Sequence, residues 1–232
     1  MSVAFLEAKV LDGKRLALAL RAGILRLLSR EEVINKINVF PVPDGDTGTN
    51  LALTLHAVLT RIHDNVDPHA GRLLVRVADA ALDGARGNSG AILAQFLLGV
   101  GDRAGHLEEL DAEQFAAAVT DGASYAREAM TEPREGTILT VLADFAHEVR
   151  EQVAAHGVRD FDRLFGLALE RSRRSLAATT SQLEALRKAN VVDAGAMAFV
   201  EMIAGMSDYL ETGEVAADDA VVRVLHEEHS AA

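Results

Sequence analysis

Apolar residues return every third or fourth position along almost the whole chain, and that period limits the fold more than any other feature of the sequence. From Asp12 to Ser29 they fall at Leu16, Leu20, Ile24, Leu27 and Leu28, one face of a helix, with Asp12 placed to cap its N-terminus. The same reading predicts helices near 31–37, 48–63, 71–83, 89–99, 112–129, 137–155, 161–178, 181–188 and 195–211. Alternating β-branched runs, the mark of strands, are missing, and only four prolines interrupt the pattern. The expected fold class is all-α, with short connections that favour antiparallel neighbours. No repeat of fixed period and no low-complexity linker occurs before residue 212, so residues 1–213 read as one domain. Residues 214–232, with Asp218, Asp219, Glu227 and Glu228 around a short apolar stretch, read as an acidic tail or the start of a connection to a further domain.

Composition excludes several classes of function. Half of the 232 residues are hydrophobic (49%), enough for a core that needs no staples, and the absence of cysteine removes disulfides, zinc–thiolate sites and cysteine nucleophiles. The longest nearly uncharged apolar stretch, Ala91 to Gly101, is well short of the roughly 18–20 residues that cross a bilayer, so no membrane span is expected. With no signal-like N-terminus, the expected compartment is the cytoplasm. A net charge of −12 argues against nucleic acid as a partner, because no basic stripe is present to displace counterions. The densest basic cluster, Arg171, Arg173 and Arg174, reads as the solvated face of a helix. An acidic chain can still bind a polyanion when metal ions lie between the two.

The informative places are four predicted helix starts where glycine adjoins a small polar residue or a carboxylate. These are Asp44-Gly45-Asp46-Thr47-Gly48-Thr49-Asn50, Gly84-Ala85-Arg86-Gly87-Asn88-Ser89-Gly90, Glu135-Gly136-Thr137 and Asp193-Ala194-Gly195-Ala196. Backbone amides at a helix start carry partial positive charge, and glycine lets a phosphate approach them closely. Any one of these runs is more simply an ordinary cap on a permissive turn, but four in one helical chain favour phosphate binding. In the first run Asp44 and Asp46 would repel a phosphate unless hard cations bridged them, and Mg²⁺ suits oxygen ligands of this kind. Asn38 lies upstream and offers a neutral oxygen. An EF-hand is excluded, since counting from Asp44 puts Gly48 and Leu55 where that loop needs oxygen ligands.

Other motifs return little. No Gly-x-x-x-x-Gly-Lys-Ser/Thr run exists, Gly99 to Ala104 reads as a helix end with a turn, and Ser89 lacks the frame of a nucleophile elbow. The histidines lack the spacing of a zinc site, and Phe40, Phe96 and Phe199 are expected in the core.

The run from Asn38 to Asn50 resembles the signature of the nucleotide-binding subunit of bacterial fatty acid kinase, whose DAK2-type domain is similar to the L-type domain of dihydroxyacetone kinases. The runs Gly84–Gln95, Glu135–Val141 and Asn190–Gly195 agree with it, so the likeness covers roughly residues 12–213. It implies an up-and-down barrel of about eight helices whose loops at one end hold ATP through two Mg²⁺ ions. Asp44 and Asp46 would then be the catalytic metal ligands, joined by Asn38. Thr47, Gly48, Thr49 and Asn50, with Gly87, Asn88, Ser89 and Gly90, would face the phosphates. Thr137, Asp193 and Gly195 would lie nearer the nucleoside or complete the pocket. Dihydroxyacetone kinases use three aspartates where this chain has Asn38 and two. The implied reaction is phosphoryl transfer from ATP to a fatty acid carboxylate presented by a DegV-like lipid-binding protein or fused domain. A kinase of dihydroxyacetone or another small polyol and a regulatory nucleotide-binding module remain as alternatives, and a homodimer is left open.

Overall fold

A computed structural model describes residues 8–64 and 66–215. The chain begins with a short strand β1 (Val10–Leu11) and runs through helices α1 (Gly13–Leu28), α2 (Glu31–Lys36), α3 (Thr47–Asp64), α4 (Ala70–Gly84) and α5 (Gly87–Ala104). A second strand β2 (Leu110–Asp111) precedes α6 (Ala112–Glu128), α7 (Ile138–Ala154), α8 (Phe161–Gln182), α9 (Glu184–Ala189) and α10 (Ala194–Thr212). Setting aside the six-residue α2 and α9, eight long helices remain. Neighbours in sequence pack side by side, and α10 lies against both α8 and α1, so the up-and-down series closes into a barrel. In this topology α3, α5, α7 and α10 all begin at the same end.

Several helix starts have a local cause. Asp12 accepts a hydrogen bond from the Arg15 amide at 2.8 Å, and Asp111 and Gln114 form a reciprocal capping box at the start of α6. The core is one contiguous set of buried side chains from Ala8 to Leu210. Through it runs a chain of aromatic contacts, Phe96–Phe199–Phe145–Phe165–Phe115–Phe161, with ring centroids 5.4–6.3 Å apart, which ties α5, α10, α7, α8 and α6 together. Such pairs each add about 0.5–1.5 kcal/mol beyond simple burial.

Four expectations are revised. The fold is helical as expected but also contains the small ladder pairing Val10 with Asp111 and Leu11 with Leu110, too short to show a period in sequence. Gly99 and Gly101 do not form a turn, since α5 continues through both to Ala104. A Cβ on Gly99 would lie 2.8 Å from the Asp121 carbonyl oxygen, so these glycines bring α5 against α6 and α4 where a larger residue would hold the helices apart. Phe96 and Phe199 are buried, but Phe40 is only partly buried in the loop before α3. Of the arginine cluster, Arg173 and Arg174 are exposed on α8, whereas Arg171 reaches across to Asp144 of α7 at 2.7 Å. Most of the acidic tail, residues 216–232, lies outside the described residues.

Candidate functional site

At the end of the barrel where α3 and α5 begin is a cavity of about 180 Å³ lined by Asn38, Pro41, Val42, Asp44, Asp46, Thr47, Asn50, Gly87, Asn88 and Ser89. Two runs well separated in sequence thus form opposite walls of one space. Thr54 joins them: buried on α3, its hydroxyl accepts the Arg86 amide at 3.1 Å and donates to the Asn50 carbonyl at 2.8 Å. Gly87 has φ +60°, and a Cβ there would lie 2.6 Å from Asn50 Nδ2, so both conformation and space require glycine. Gly90 sits behind it, its Cβ position 2.5 Å from the Thr54 hydroxyl.

The cavity is lined by polar groups with little to do inside the protein. The Asp46 carboxylate, the Thr47 and Ser89 hydroxyls and the Asn50 and Asn88 side-chain amides make no hydrogen bond among the described residues. Asn38 is 6% exposed and donates through Nδ2 to Asp44 Oδ1 at 2.8 Å, which leaves its own Oδ1 buried without a partner. A buried unpaired oxygen costs about 1–3 kcal/mol. Taken with the Asp44 and Asp46 carboxylates, that oxygen would make three hard oxygen donors, the kind Mg²⁺ takes. No basic residue lines the cavity, so a polyphosphate entering it would meet net negative charge.

The four glycine-bearing helix starts are not equivalent, and this corrects the reading that gave all of them free amides. The first turn of α3 is capped from outside: Asn35 Oδ1 accepts the Gly48 and Thr49 amides at 2.7 and 3.2 Å. The Thr49 hydroxyl, expected to face phosphate, is turned the other way and donates to Glu31 Oε1 at 2.6 Å. Gly48 likewise faces α2, its Cβ position 2.5 Å from the Glu31 carbonyl oxygen. Thr137 caps α7 through the Leu139 amide at 3.3 Å, and Asp193 caps α10 through the Ala196 amide at 2.8 Å. Of the four, only the α5 start has no side-chain cap of any kind, since Arg86 before it makes none, so the amides of the Gly87–Gly90 turn are the ones available to an anion.

Thr137, Asp193 and Gly195 do not line the cavity, and of the three it is Gly195 that stands against Ser89. A Cβ on Gly195 would come within 2.9 Å of Ser89 Oγ and 3.4 Å of Ile138 Cβ. Asp193 is buried at the meeting point of α7, α8 and α10, accepting from the Ala196 and Ile138 amides, while its own amide donates to the Thr179 hydroxyl. Burial pushes its carboxyl up to about 6, against the opposing effect of those two amides. Glu135, before α7, is held below the usual carboxylate range by the Thr140 hydroxyl and then by Arg127.

Sequence reasoning did not single out Glu31, Asn35 or Thr54. Glu31 and Asn35 sit four apart on α2, and Asn50 and Thr54 four apart on α3, so helical spacing was the available signal.

The DAK2 domain family matches residues 41–208, from the loop ahead of Asp44 almost to the end of α10. The chain belongs to the DAK2 domain family. The chain is 33% identical over 226 residues to protein YloV of Bacillus subtilis, covering 97% of this chain and 40% of that one. An uncharacterized protein of Staphylococcus saprophyticus is also 33% identical, over 94% of this chain and 40% of its own length. The chain thus spans about 40% of the length of the curated relatives it matches. Among solved structures, the dihydroxyacetone kinase of C. freundii in complex with AMP-PNP and Mg²⁺ superposes with a TM-score of 0.66 and 16% identity, over 90% of this chain and 36% of the other. Its native form gives a TM-score of 0.62 over 83% of this chain and 34% of that one, again at 16% identity. These likenesses establish the helical fold. Among the described residues no helix is long and apolar enough to cross a membrane.

Proposed function

We propose that this DAK2 domain is the Mg²⁺–ATP-binding part of a phosphotransferase. The observation that carries the reading is the cavity itself: Asp44, Asp46 and the unpaired Asn38 oxygen on one wall, and the uncapped Gly87–Gly90 turn on the other. A mixed set of this kind suits a polyphosphate with its cations and suits neither alone. The C. freundii structure, with AMP-PNP and Mg²⁺ bound to the same fold, supports it.

In this reading Asp44, Asp46 and Asn38 hold two Mg²⁺ ions, which supply charge neutralisation on the polyphosphate. The Asn88 and Ser89 amides, with the Ser89 hydroxyl and Asn50, orient the phosphate oxygens. Thr54 fixes the distance between the two walls. Phosphoryl transfer asks little of a protein beyond such positioning and electrostatic support. The favoured acceptor is a fatty acid carboxylate, already ionised at neutral pH, so no general base is required. That acceptor would be presented by a DegV-like lipid-binding protein or fused domain, making this chain one component of a larger kinase. A small-polyol acceptor is the second reading, favoured by the likeness to dihydroxyacetone kinase.

The test is acyl phosphate formation from ATP and fatty acid by this chain, alone and with a lipid-binding partner, alongside a dihydroxyacetone arm. Transfer to fatty acid only with the partner is expected. Orientation supplies on the order of 7–11 kcal/mol of barrier reduction, so the chain alone should be slower by many decades. Fast turnover of dihydroxyacetone by the chain would select the second reading.

A further inference from the structure

The α3 start has an unusual division of labour. Asp46 precedes the helix, where an aspartate ordinarily folds back to accept the amides two and three residues on. Those amides, Gly48 and Thr49, are instead taken by Asn35 Oδ1 from α2, and the Asp46 carboxylate makes no hydrogen bond among the described residues and lines the cavity. The Asn35 amide is held in that orientation by a second contact: its Nδ2 donates to Thr49 Oγ1 at 3.0 Å, and Thr49 Oγ1 donates in turn to Glu31 Oε1. The approach of α2 to α3 is close enough that any side chain at Gly48 would collide with the Glu31 carbonyl oxygen and with Asn35.

We infer that Asn35 is a positioning residue that caps α3 in place of Asp46 and thereby leaves the Asp46 carboxylate free to bind a divalent cation in the nucleotide cavity. The inference rests on the proposed Mg²⁺–nucleotide function. Asn35 touches neither metal nor phosphate and acts through Asp46. Without it, Asp46 gains two unsatisfied amides within reach and turns toward its own helix. The capping bond and the metal bond then compete for one carboxylate. Asn35→Asp keeps an oxygen facing the two amides, with the Thr49 hydroxyl able to turn from Glu31 and donate to its second oxygen, whereas Asn35→Ala removes the cap.

The experiment is a Mn²⁺ titration in the presence of AMP-PNP on the full chain, followed by electron paramagnetic resonance, for wild type, Asn35→Ala, Asn35→Asp, Asp46→Asn and the Asn35→Ala/Asp46→Asn double variant. Expected are a loss of Mn²⁺ affinity of at least about tenfold for Asn35→Ala and a value within about threefold of wild type for Asn35→Asp. On the Asp46→Asn background, Asn35→Ala should add less than about threefold, because its effect passes through the carboxylate already removed. Wild-type affinity in Asn35→Ala, equal loss in Asn35→Asp, or full additivity in the double variant overturns the inference. Amide exchange supplies an independent reading should Asn35→Ala fail to fold. Gly48 and Thr49 amides should be equally protected in wild type and Asp46→Asn without ligand, and loss of protection in Asp46→Asn would show that Asp46 is the cap. Absence of Mn²⁺ binding by wild type would instead refute the proposed function, and amide exchange would still decide who caps α3.

Discussion

Asp193 offers a stability prediction whose size follows from its surroundings. Its carboxyl is buried between the starts of α7 and α10 and is pushed up to about 6 from an ordinary 3.8, chiefly by loss of solvent. Between those two values the native state holds a proton that the unfolded chain has released, so stability falls as pH rises. The contribution is fully present below about 4 and is lost as pH climbs through 6. Two units at 1.36 kcal/mol each make the whole effect about 3 kcal/mol, of which about half falls between pH 5 and pH 8. For a chain of this length that is a melting shift of about 3–6 °C. The Asp193→Asn variant keeps an oxygen for the Ala196 amide but cannot titrate. Denaturant unfolding of both proteins from pH 5 to pH 8 isolates the residue, because the other titrating groups cancel in the difference. The gap between the two stability curves should change by about half of that whole effect across the range, wild type losing more at high pH. Parallel curves would refute the claim that Asp193 is buried without a compensating charge.

The joint between the two cavity walls can be tested by Thr54→Val, which preserves shape but strands the Arg86 amide. A loss of about 1–3 kcal/mol, read as a fall in melting temperature of about 2–10 °C, should accompany weaker nucleotide binding, and an unchanged melting temperature would contradict the joint. Gly87→Ala meets both a positive φ and Asn50, so it should cost at least about 1 kcal/mol by denaturant unfolding and abolish nucleotide binding. Asp44→Asn and Asp46→Asn should each sharply reduce the Mg²⁺-dependent thermal shift while leaving the ligand-free melting temperature equal or slightly higher, since two neighbouring carboxylates repel. A large loss of ligand-free stability in either variant would make the pair structural.

Helical periodicity made the eight long helices legible, because each buries one face and nothing else in the chain competes for that pattern. The Asp44–Asn50 and Gly87–Gly90 runs were legible as polar, glycine-bearing helix starts, and the structure brings them together around one cavity. What escaped was settled by tertiary approach. Gly99 and Gly101 looked like a turn because glycine weakens an isolated helix by about 1 kcal/mol relative to alanine; contact with α6 and α4 offsets that cost. Thr49 looked like a phosphate ligand until α2 came to rest against it. Asn35 caps α3 from thirteen residues upstream, outside the local window in which a cap leaves a sequence signature.

The central claim is that the acidic wall and the uncapped turn form one site that takes nucleotide only together with divalent cations. Isothermal titration of the chain with ADP, with excess Mg²⁺ and then with EDTA in place of Mg²⁺, tests it directly. The account predicts binding with Mg²⁺ and none with EDTA. At a ligand concentration of about 100 times the dissociation constant, this corresponds to roughly 2.7 kcal/mol of added stability. Equal affinity in EDTA, or no binding under either condition, would contradict it.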